Sequence, residues 1–220
     1  MSSCELSQYF ENHSSAKDAG FQIIGTKSVI TAKHISCTAL NNLNRAMKYL
    51  LDNEETERLV FRKIQQSDFN LWLEFFKDPA SFKYWIAKLE TPEVECENWY
   101  EKQFNRYETE RGGMNALVEK QTGVLIGHAG LLIQTVDDIT ELEVAYSLLP
   151  SGRNKGYATE AARKCMIVAF QKNYSDSLIS IISLTNTPSA NVAAKNGMKV
   201  EKQTIYHGNT VNIFRINKEG

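Results

Sequence analysis

One stretch of this chain constrains the fold more than any other: an apolar strand, a short cationic glycine loop and a long helix in immediate succession. Residues 141–150 read ELEVAYSLLP, residues 151–156 read SGRNKG, and residues 157–170 read YATEAARKCMIVAF. The first segment has the pattern of a strand and ends at the turn signal Pro150-Ser151-Gly152. In the third, Ala158, Ala161, Ala162, Cys165, Met166 and Ala169 share one face of a helix running from about Gly156 to Lys172. A strand that feeds a helix directly belongs to a layered α/β structure. The loop between them can aim several backbone N–H groups at one point, and the helix N-terminus adds partial positive charge. Arg153–Ala158 is therefore an anion site suited to a pyrophosphate. Gly156 lets the backbone approach closely, and Arg153 and Lys155 add charge. The GxxxxGK[ST] spacing is absent, so this is no Walker A loop, and the Rossmann fingerprint is absent too. Taken alone, an ordinary strand-to-helix turn with two surface cations is the plainer reading.

The rest of the chain arranges itself around this unit. RLVFRKI, from Arg58, alternates as a strand. A helix opens at Ser67 or Asp68 and stops at Asp78-Pro79, and a second runs from roughly Pro92 to Glu108, ended by Arg111-Gly112-Gly113. MNALVEK and VLIGHAGLLIQTV flank a turn at Gln121-Thr122-Gly123 and read as a hairpin. SLISIISL is almost continuously apolar, as a strand buried on both faces must be. Ser189 to Asn196 is a short helix closed by Gly197 as a left-handed cap. MKVEKQTIYH and VNIFRI are strands joined at His207-Gly208-Asn209-Thr210. The expected order is β-α-α-β-β-β-α-β-α-β-β, with no internal repeat.

Charge and composition remove several classes of function. The 220 residues carry 25 Lys+Arg against 26 Asp+Glu, without the basic excess of a DNA or RNA coat. No apolar run approaches the ~18–20 residues that span a bilayer. The opening MSSCELSQYFENHSS lacks the basic start and apolar core of a secretory signal. Cys4, Cys37, Cys96 and Cys165 are scattered, with no CxxC pair and no His at ligand spacing. The expectation is a cytoplasmic protein with reduced thiols, no metal, no nucleic-acid partner and no membrane span.

Residues 1–56 read as an N-terminal extension to a domain over 57–220. Residues 1–20 are polar and Ser-rich, the composition of a mobile start. FQIIGTKSVI suits a short strand or hairpin arm. Leu40, Leu43, Met47, Leu50 and Leu51 recur at helical spacing, predicting an amphipathic helix over about 38–53. Its stripe must be buried against the main domain or a second subunit.

Three groups of residues together resemble the GNAT superfamily of acyl-CoA N-acyltransferases. Arg153, Gly156 and Ala158 fit that family's [Q/R]xxGx[G/A] signature, and the longer RNKGYATEA is similar to its RimJ/RimL-like branch. NTPSANVAAKNGM, residues 186–198, resembles the second signature, an Asn-containing helix ending in Lys-x-Gly-Met/Phe. ETERLVFRKIQQSDF is similar to the first strand and helix entry of the same branch. The resemblance covers about Glu57 to Asn217. It implies an α/β fold with a mixed, mostly antiparallel central sheet, splayed parallel strands and helices on both faces. It also implies acetyl-CoA as co-substrate, an amine acceptor and, as a family habit, a homodimer.

The resemblance further assigns roles. Arg153, Asn154, Lys155, Gly156, Tyr157 and Ala158 would bind the pyrophosphate of acetyl-CoA. Val144, Ala145, Tyr146, Ser147 and Leu148 would run their backbone along the pantetheine arm, one N–H polarising the thioester carbonyl. Asn186 and Asn191 would contact it from the other side of the splay. Glu143 matches the position where this branch places a Glu beside the thioester, so it is the expected base, acting directly or through a water. Glu141 lies two residues earlier on the same strand face. Family members often carry a Tyr four residues before the glycine of the second signature, and here Ala193 stands there. Ser189 matches a serine considered as proton donor in the RimL-like branch, with Tyr206 as an unaligned alternative. A thiol of pKa ~8.5 also leaves readily as thiolate without an acid.

The acceptor is read less directly. An α-amine of pKa ~8 is roughly 10% neutral at pH 7, and a Lys amine of ~10.4 about 0.04%. A modest base suffices for the former, and the RimJ/RimL resemblance points to protein N-termini. From Glu90 to Glu110, seven Glu accompany only Lys102 and Arg106. That charge favours a small cationic amine or antibiotic, unless it is simply a solvated helix face. A non-catalytic acyl-CoA-binding module is the alternative from another class. Trp72, Trp85 and Trp99, with Phe69, Phe75 and Phe76, read as core, Trp99 being the preferred exception as a substrate wall. His128 reads as a satisfied or surface histidine, and Cys165 as inert packing.

Overall fold

The computed structural model describes residues 48–84 and 90–219. Strand β1 (Leu59–Arg62) leads into helices α1 (Phe69–Lys77) and α2 (Pro92–Glu108), then strands β2 (Gly112–Glu119), β3 (Leu125–Val136) and β4 (Ile139–Leu148). Helix α3 (Tyr157–Gln171), strand β5 (Ser177–Ser183), helix α4 (Thr187–Lys195) and strands β6 (Lys199–Tyr206) and β7 (Asn209–Asn217) complete it. The element order is the one expected from the sequence.

Local chemistry explains the helix ends. Pro79 stops α1, and the Asp78 side chain accepts a hydrogen bond from the Ala80 N–H at 3.1 Å to start a short 3₁₀ turn. Thr91 caps α2 by accepting from the Val94 N–H, with Pro92 in the first turn and Glu93 and Glu95 placed against the helix dipole. Gly197 ends α4 at φ +84°, as its sequence position predicts. Gly112 and Gly113, expected to end α2, instead open β2.

The seven strands lie in the order β1-β2-β3-β4-β5-β7-β6. Every neighbouring pair is antiparallel except β4 and β5. β3 and β4 stay paired from Gly127↔Leu148 to Val136↔Ile139. β4 and β5 meet only at Glu143↔Ile179, and β5 is otherwise laddered to β7. The parallel pair therefore splays, leaving the facing strand edges beyond Glu143 without each other as partners.

Helices cover both faces. On one, α3 packs Ala161, Cys165 and Ala169 against Leu131, Leu142, Val144 and Leu178. On the other, α1 and α2 pack Trp72, Phe76, Cys96 and Trp99 against Met114, Leu132 and Ala145. β5 is buried on both sides, which accounts for its unbroken apolar run.

The region before β1 departs from expectation. The strand proposed for FQIIGTKSVI and the first part of the 38–53 helix lie outside the described residues. Residues 48–53 take turns rather than helix. Leu51 is fully buried in the main core, its N–H donates to Asn115 Oδ1 at 3.1 Å, and the Asn53 N–H donates to the Phe61 carbonyl at 2.9 Å. Leucine spacing that suits a helix is here overridden by backbone pairing with the sheet.

Candidate active site

The turn into α3 is built from two residues in left-handed backbone conformations, Asn154 at φ +61° and Gly156 at φ +84°. A Cβ on Gly156 would meet the Arg58 guanidinium at 3.3 Å and would strain a φ that side chains rarely adopt. The first helical hydrogen bond runs from the Glu160 N–H to the Gly156 carbonyl, and no side chain caps the helix. The N–H groups of residues 154–159 thus bond to none of the described residues. A row of free donors on a helix N-terminus is an anion cradle.

Arg58 fixes that cradle, and the sequence reading missed it. Its backbone N–H and Nε donate to Glu160 at 2.9 and 2.7 Å, its Nη1 donates to the Lys155 carbonyl at 2.9 Å, and its guanidinium lies 4.4 Å from the Tyr157 ring centroid. Burial pushes the Glu160 carboxyl up, but hydrogen bonds from Thr56 and Arg58 outweigh it and hold it below its ordinary range. The signal was present only as a cation at the start of one strand and an acid one turn into a distant helix.

Arg153 is not a loose cation. Its Nε donates to the Leu148 carbonyl at 3.2 Å, Nη1 to Asp78, and Nη2 to Ser81 Oγ at 2.8 Å. It ties the turn after α1 to the loop. Lys155 is exposed, and the Tyr157 hydroxyl donates to Glu119 on the far side of the loop.

Beside the loop lies a cleft of about 530 Å³. Tyr146, Ser147 and Leu148 of β4 line it, as do Arg153, Asn154, Gly156 and Ala158 of the loop and Asn186, Ser189 and Asn191 at α4. Its charged side chains are Lys83, Arg153 and Lys195, all cationic. Glu143, Val144, Ala145, Lys155 and Tyr157 are not among its lining residues. Val144 packs under α3 with its carbonyl accepting from Ser180 Oγ at 2.8 Å, and Ala145 packs under α1 and α2.

Asn186 uses Oδ1 to cap α4, accepting from the Ser189 N–H at 3.2 Å. The Tyr146 hydroxyl donates to the Ser189 carbonyl at 3.0 Å, and burial pushes its pKa up. A phenol therefore stands in the cleft although Ala193 is buried in the core. Tyr206 packs instead with Ile179, Ile181 and Val211 in a separate cluster.

Glu143 is buried at the point where β4 and β5 meet. Its Oε2 accepts from Gln134 Nε2 at 3.0 Å, and Gln134 Oε1 accepts from Arg106 Nη2 at 3.2 Å. Glu141 forms a bidentate pair with Arg215 at 3.0 and 2.5 Å, which makes it part of an ion-pair cluster with Glu201. None of the seven glutamates from Glu90 to Glu110 lines the cleft, and Glu93, Glu97, Glu101 and Glu108 face solvent.

Trp99 is core, in contact with Trp72 and Tyr100, and Trp85 lies outside the described residues. His128 is neither exposed nor satisfied. It is fully buried 4.1 Å from the Trp72 ring and 4.7 Å from that of Trp99, and both ring nitrogens lack a hydrogen-bond partner. Burial above all, with the Arg62 charge added, holds its pKa well below 6.5. Burial likewise pushes the Cys165 thiol up, as inert packing requires. Among the described residues no His, Cys, Asp and Glu gather as a metal site, and no helix is long and apolar enough to cross a membrane.

A mixed sheet whose one parallel pair splays beside an uncapped helix start defines an acyl-CoA N-acyltransferase scaffold. The chain belongs to the GNAT acetyltransferases: the family model described as acetyltransferase (GNAT) domain matches residues 58–199. It is 27% identical over 151 residues to the uncharacterized protein YkkB of Bacillus subtilis strain 168, covering 67% of this chain and 85% of YkkB. Its fold is similar to an acetyltransferase from Agrobacterium tumefaciens str. C58, with TM-score 0.63, 20% identity, and 88% and 100% of the two chains covered. It is also similar to RimL, a ribosomal L7/L12 alpha-N-protein acetyltransferase solved with coenzyme A, with TM-score 0.58, 13% identity, and 74% and 95% covered. At these identities the solved structures show the fold alone. Enzymes of the family move an acetyl group from acetyl-CoA to an amine, and this chain is an acetyltransferase by family.

Proposed function

We propose that the protein acetylates a primary amine in a ternary complex with acetyl-CoA, and that the acceptor is a protein N-terminus, as in the RimJ/RimL branch. The observation that carries the acetyl-CoA part of this reading is the cleft, and the N-terminal acceptor rests on the RimJ/RimL resemblance. The cleft joins Asn154, Gly156, Ala158 and Thr159 of the loop and helix start, the splayed end of β4 and the start of α4 in one space with only cationic charged residues. That lining fits the pyrophosphate and phosphate charge of acetyl-CoA, which supplies the acetyl group as an activated thioester.

The chain's own residues divide the work. The N–H groups of residues 154–159 hold the pyrophosphate. Arg153 organises the loop through Asp78 and Ser81 more than it contacts phosphate. The β4 backbone from Val144 to Leu148 aligns the pantetheine arm and offers an N–H to the thioester carbonyl. Asn186 and Asn191 close the other side. Glu143 receives the amine's proton through a water, because its side chain is buried and does not line the cleft. Ser189 returns a proton to the thiolate side, and the Tyr146 phenol, bonded to the Ser189 carbonyl, is placed to assist. The acidic residues of α2 do not line the cleft, so they offer a small cationic acceptor no contact inside it.

Thiol release from acetyl-CoA against a panel of amines tests the reading. Peptides with free N-termini are expected to outperform polyamines and aminoglycosides. Preference for a polyamine or aminoglycoside would reassign the acceptor. Tight coenzyme A binding with no thiol released by any amine would make the protein a non-catalytic binding module.

A further inference from the structure

Gln134 and Glu141 are directly opposed residues of β3 and β4, and Glu143 stands two residues beyond Glu141. All three side chains therefore share one face of the sheet. The two glutamates on that face have different partners. Glu141 takes the Arg215 guanidinium on both oxygens, in an ion pair continued to Glu201 on β6. Glu143 Oε2 accepts instead from the neutral amide of Gln134 at 3.0 Å. Behind the amide, Arg106 of α2 donates from Nη2 to Gln134 Oε1 at 3.2 Å and from Nη1 to the Arg111 carbonyl at 3.0 Å. Gln134, Arg106 and Glu143 are all buried. A guanidinium only donates and an ionised carboxylate only accepts, so the amide between them has one orientation. A carboxylate clamped by an arginine, as Glu141 is, is held so firmly charged that it makes a poor base. An amide gives Glu143 a milder donor and cannot itself take the proton that the carboxylate gains.

We infer that Gln134 and Arg106 are positioning residues for acetyl transfer, Arg106 orienting the Gln134 amide and the amide holding Glu143 Oε2 so that the proton of the acceptor amine arrives at Oε1. The amine nitrogen passes that proton through the intervening water and keeps the lone pair that attacks the thioester carbon. Neither Gln134 nor Arg106 gains or loses a proton. The inference rests on the reading of Glu143 as the base and adds to it the two side chains that set the base. The other charged or titratable groups around Glu143 come from several elements. They are Lys102 and Glu110, four residues either side of Arg106, with Arg111 beyond, His128 on β3, Glu141 and Tyr146 on β4, Arg215 on β7, Glu201 on β6, and Tyr206 with His207 at the β6–β7 turn. All of these stay unchanged in the variants below.

The test uses the full chain, Gln134→Glu, the double variant Gln134→Leu with Arg106→Met, and Glu143→Gln. Gln134→Glu keeps an acceptor for Arg106 and puts a second carboxylate where Glu143 had an N–H donor. The double variant removes the amide and the guanidinium together, so no buried charge is left without its partner. Both changes favour the protonated form of Glu143. A base works only when deprotonated, so the acidic limb of the kcat–pH profile for a free-N-terminus peptide is expected to move to higher pH in both, by about one pH unit or more. On the acidic side kcat then falls about tenfold, with acetyl-CoA affinity within about twofold of wild type. Carbon-13 NMR titration of the glutamate carboxyls gives a readout independent of turnover, Glu143→Gln identifying the Glu143 signal, whose midpoint is expected to rise with the limb. Should the double variant melt too low to assay, Gln134→Glu reads the same two quantities. An unmoved limb and an unmoved Glu143 midpoint would overturn the inference even if kcat fell, since a fall alone is what lost packing produces. A wild type that turns over no amine, or a Glu143→Gln variant with wild-type kcat, would remove the base and the inference with it.

Discussion

At the scale of single residues, backbone conformation and burial decide more than residue type. Gly156 was legible in the sequence only in company: alone it suited an ordinary turn, and its place with Arg153 and Ala158 in a family-like signature singled it out. The structure supplies its reason: a φ of +84° and Arg58 at 3.3 Å from where a Cβ would stand. Gly156→Ala is expected to cost roughly 1–2 kcal/mol of stability and to raise the KM for acetyl-CoA at least tenfold. Thermal melts and steady-state kinetics check both. His128 was not legible, because a lone histidine after a glycine on a strand gives no sign that two tryptophans will enclose it. Its neutral state has a consequence for stability. Below about pH 6.5 the unfolded chain takes up a proton that the folded chain refuses, so stability falls by up to about 1.4 kcal/mol per pH unit. Above that pH the contribution is fully present. Urea melts of wild type and His128→Leu between pH 7 and 5 are expected to diverge, the variant showing the shallower loss. Parallel curves would show that His128 titrates in the folded state as it does in the unfolded chain.

At the scale of elements, order and type were readable from periodicity, and the connections between elements were not. Helix α3 shows a 3.6-residue apolar stripe, and β5 shows the continuous apolar run of a doubly buried strand. Long-range polar ties leave no such trace. Arg153 reaches Asp78, and Arg58 reaches Glu160, across stretches of chain that no local pattern links. The Asp78–Arg153 tie joins the end of α1 to the loop before α3. Asp78→Asn keeps the shape of the turn and weakens that tie. It is expected to raise the KM for acetyl-CoA several-fold, with a melting temperature close to wild type, because part-exposed ion pairs contribute little to stability. A KM equal to wild type would show that the loop holds its shape without α1.

At the scale of the whole molecule, the splay of β4 from β5 is the feature on which the site depends, and family resemblance rather than hydrophobic pattern anticipated it. The pattern alone shows that two strands are buried. It does not show that they part after one shared position. Leu50 and Leu51, read from their spacing as part of a helical stripe, are core residues that lie in turns beside the sheet rather than in a helix. A chain beginning at Glu57 is therefore expected to be about 2–5 kcal/mol less stable than one beginning at Lys48, the cost of removing a buried leucine. Chemical denaturation of the two truncations decides it, and equal stability would show that residues 48–56 only decorate the domain.

The most direct test of the central claim is thiol release from acetyl-CoA with two peptides of one sequence, each containing a lysine and differing only in whether the N-terminus is free or blocked. Rapid release with the free peptide and background release with the blocked one is the predicted result. Equal release with both, or none with either while coenzyme A still binds, would contradict it.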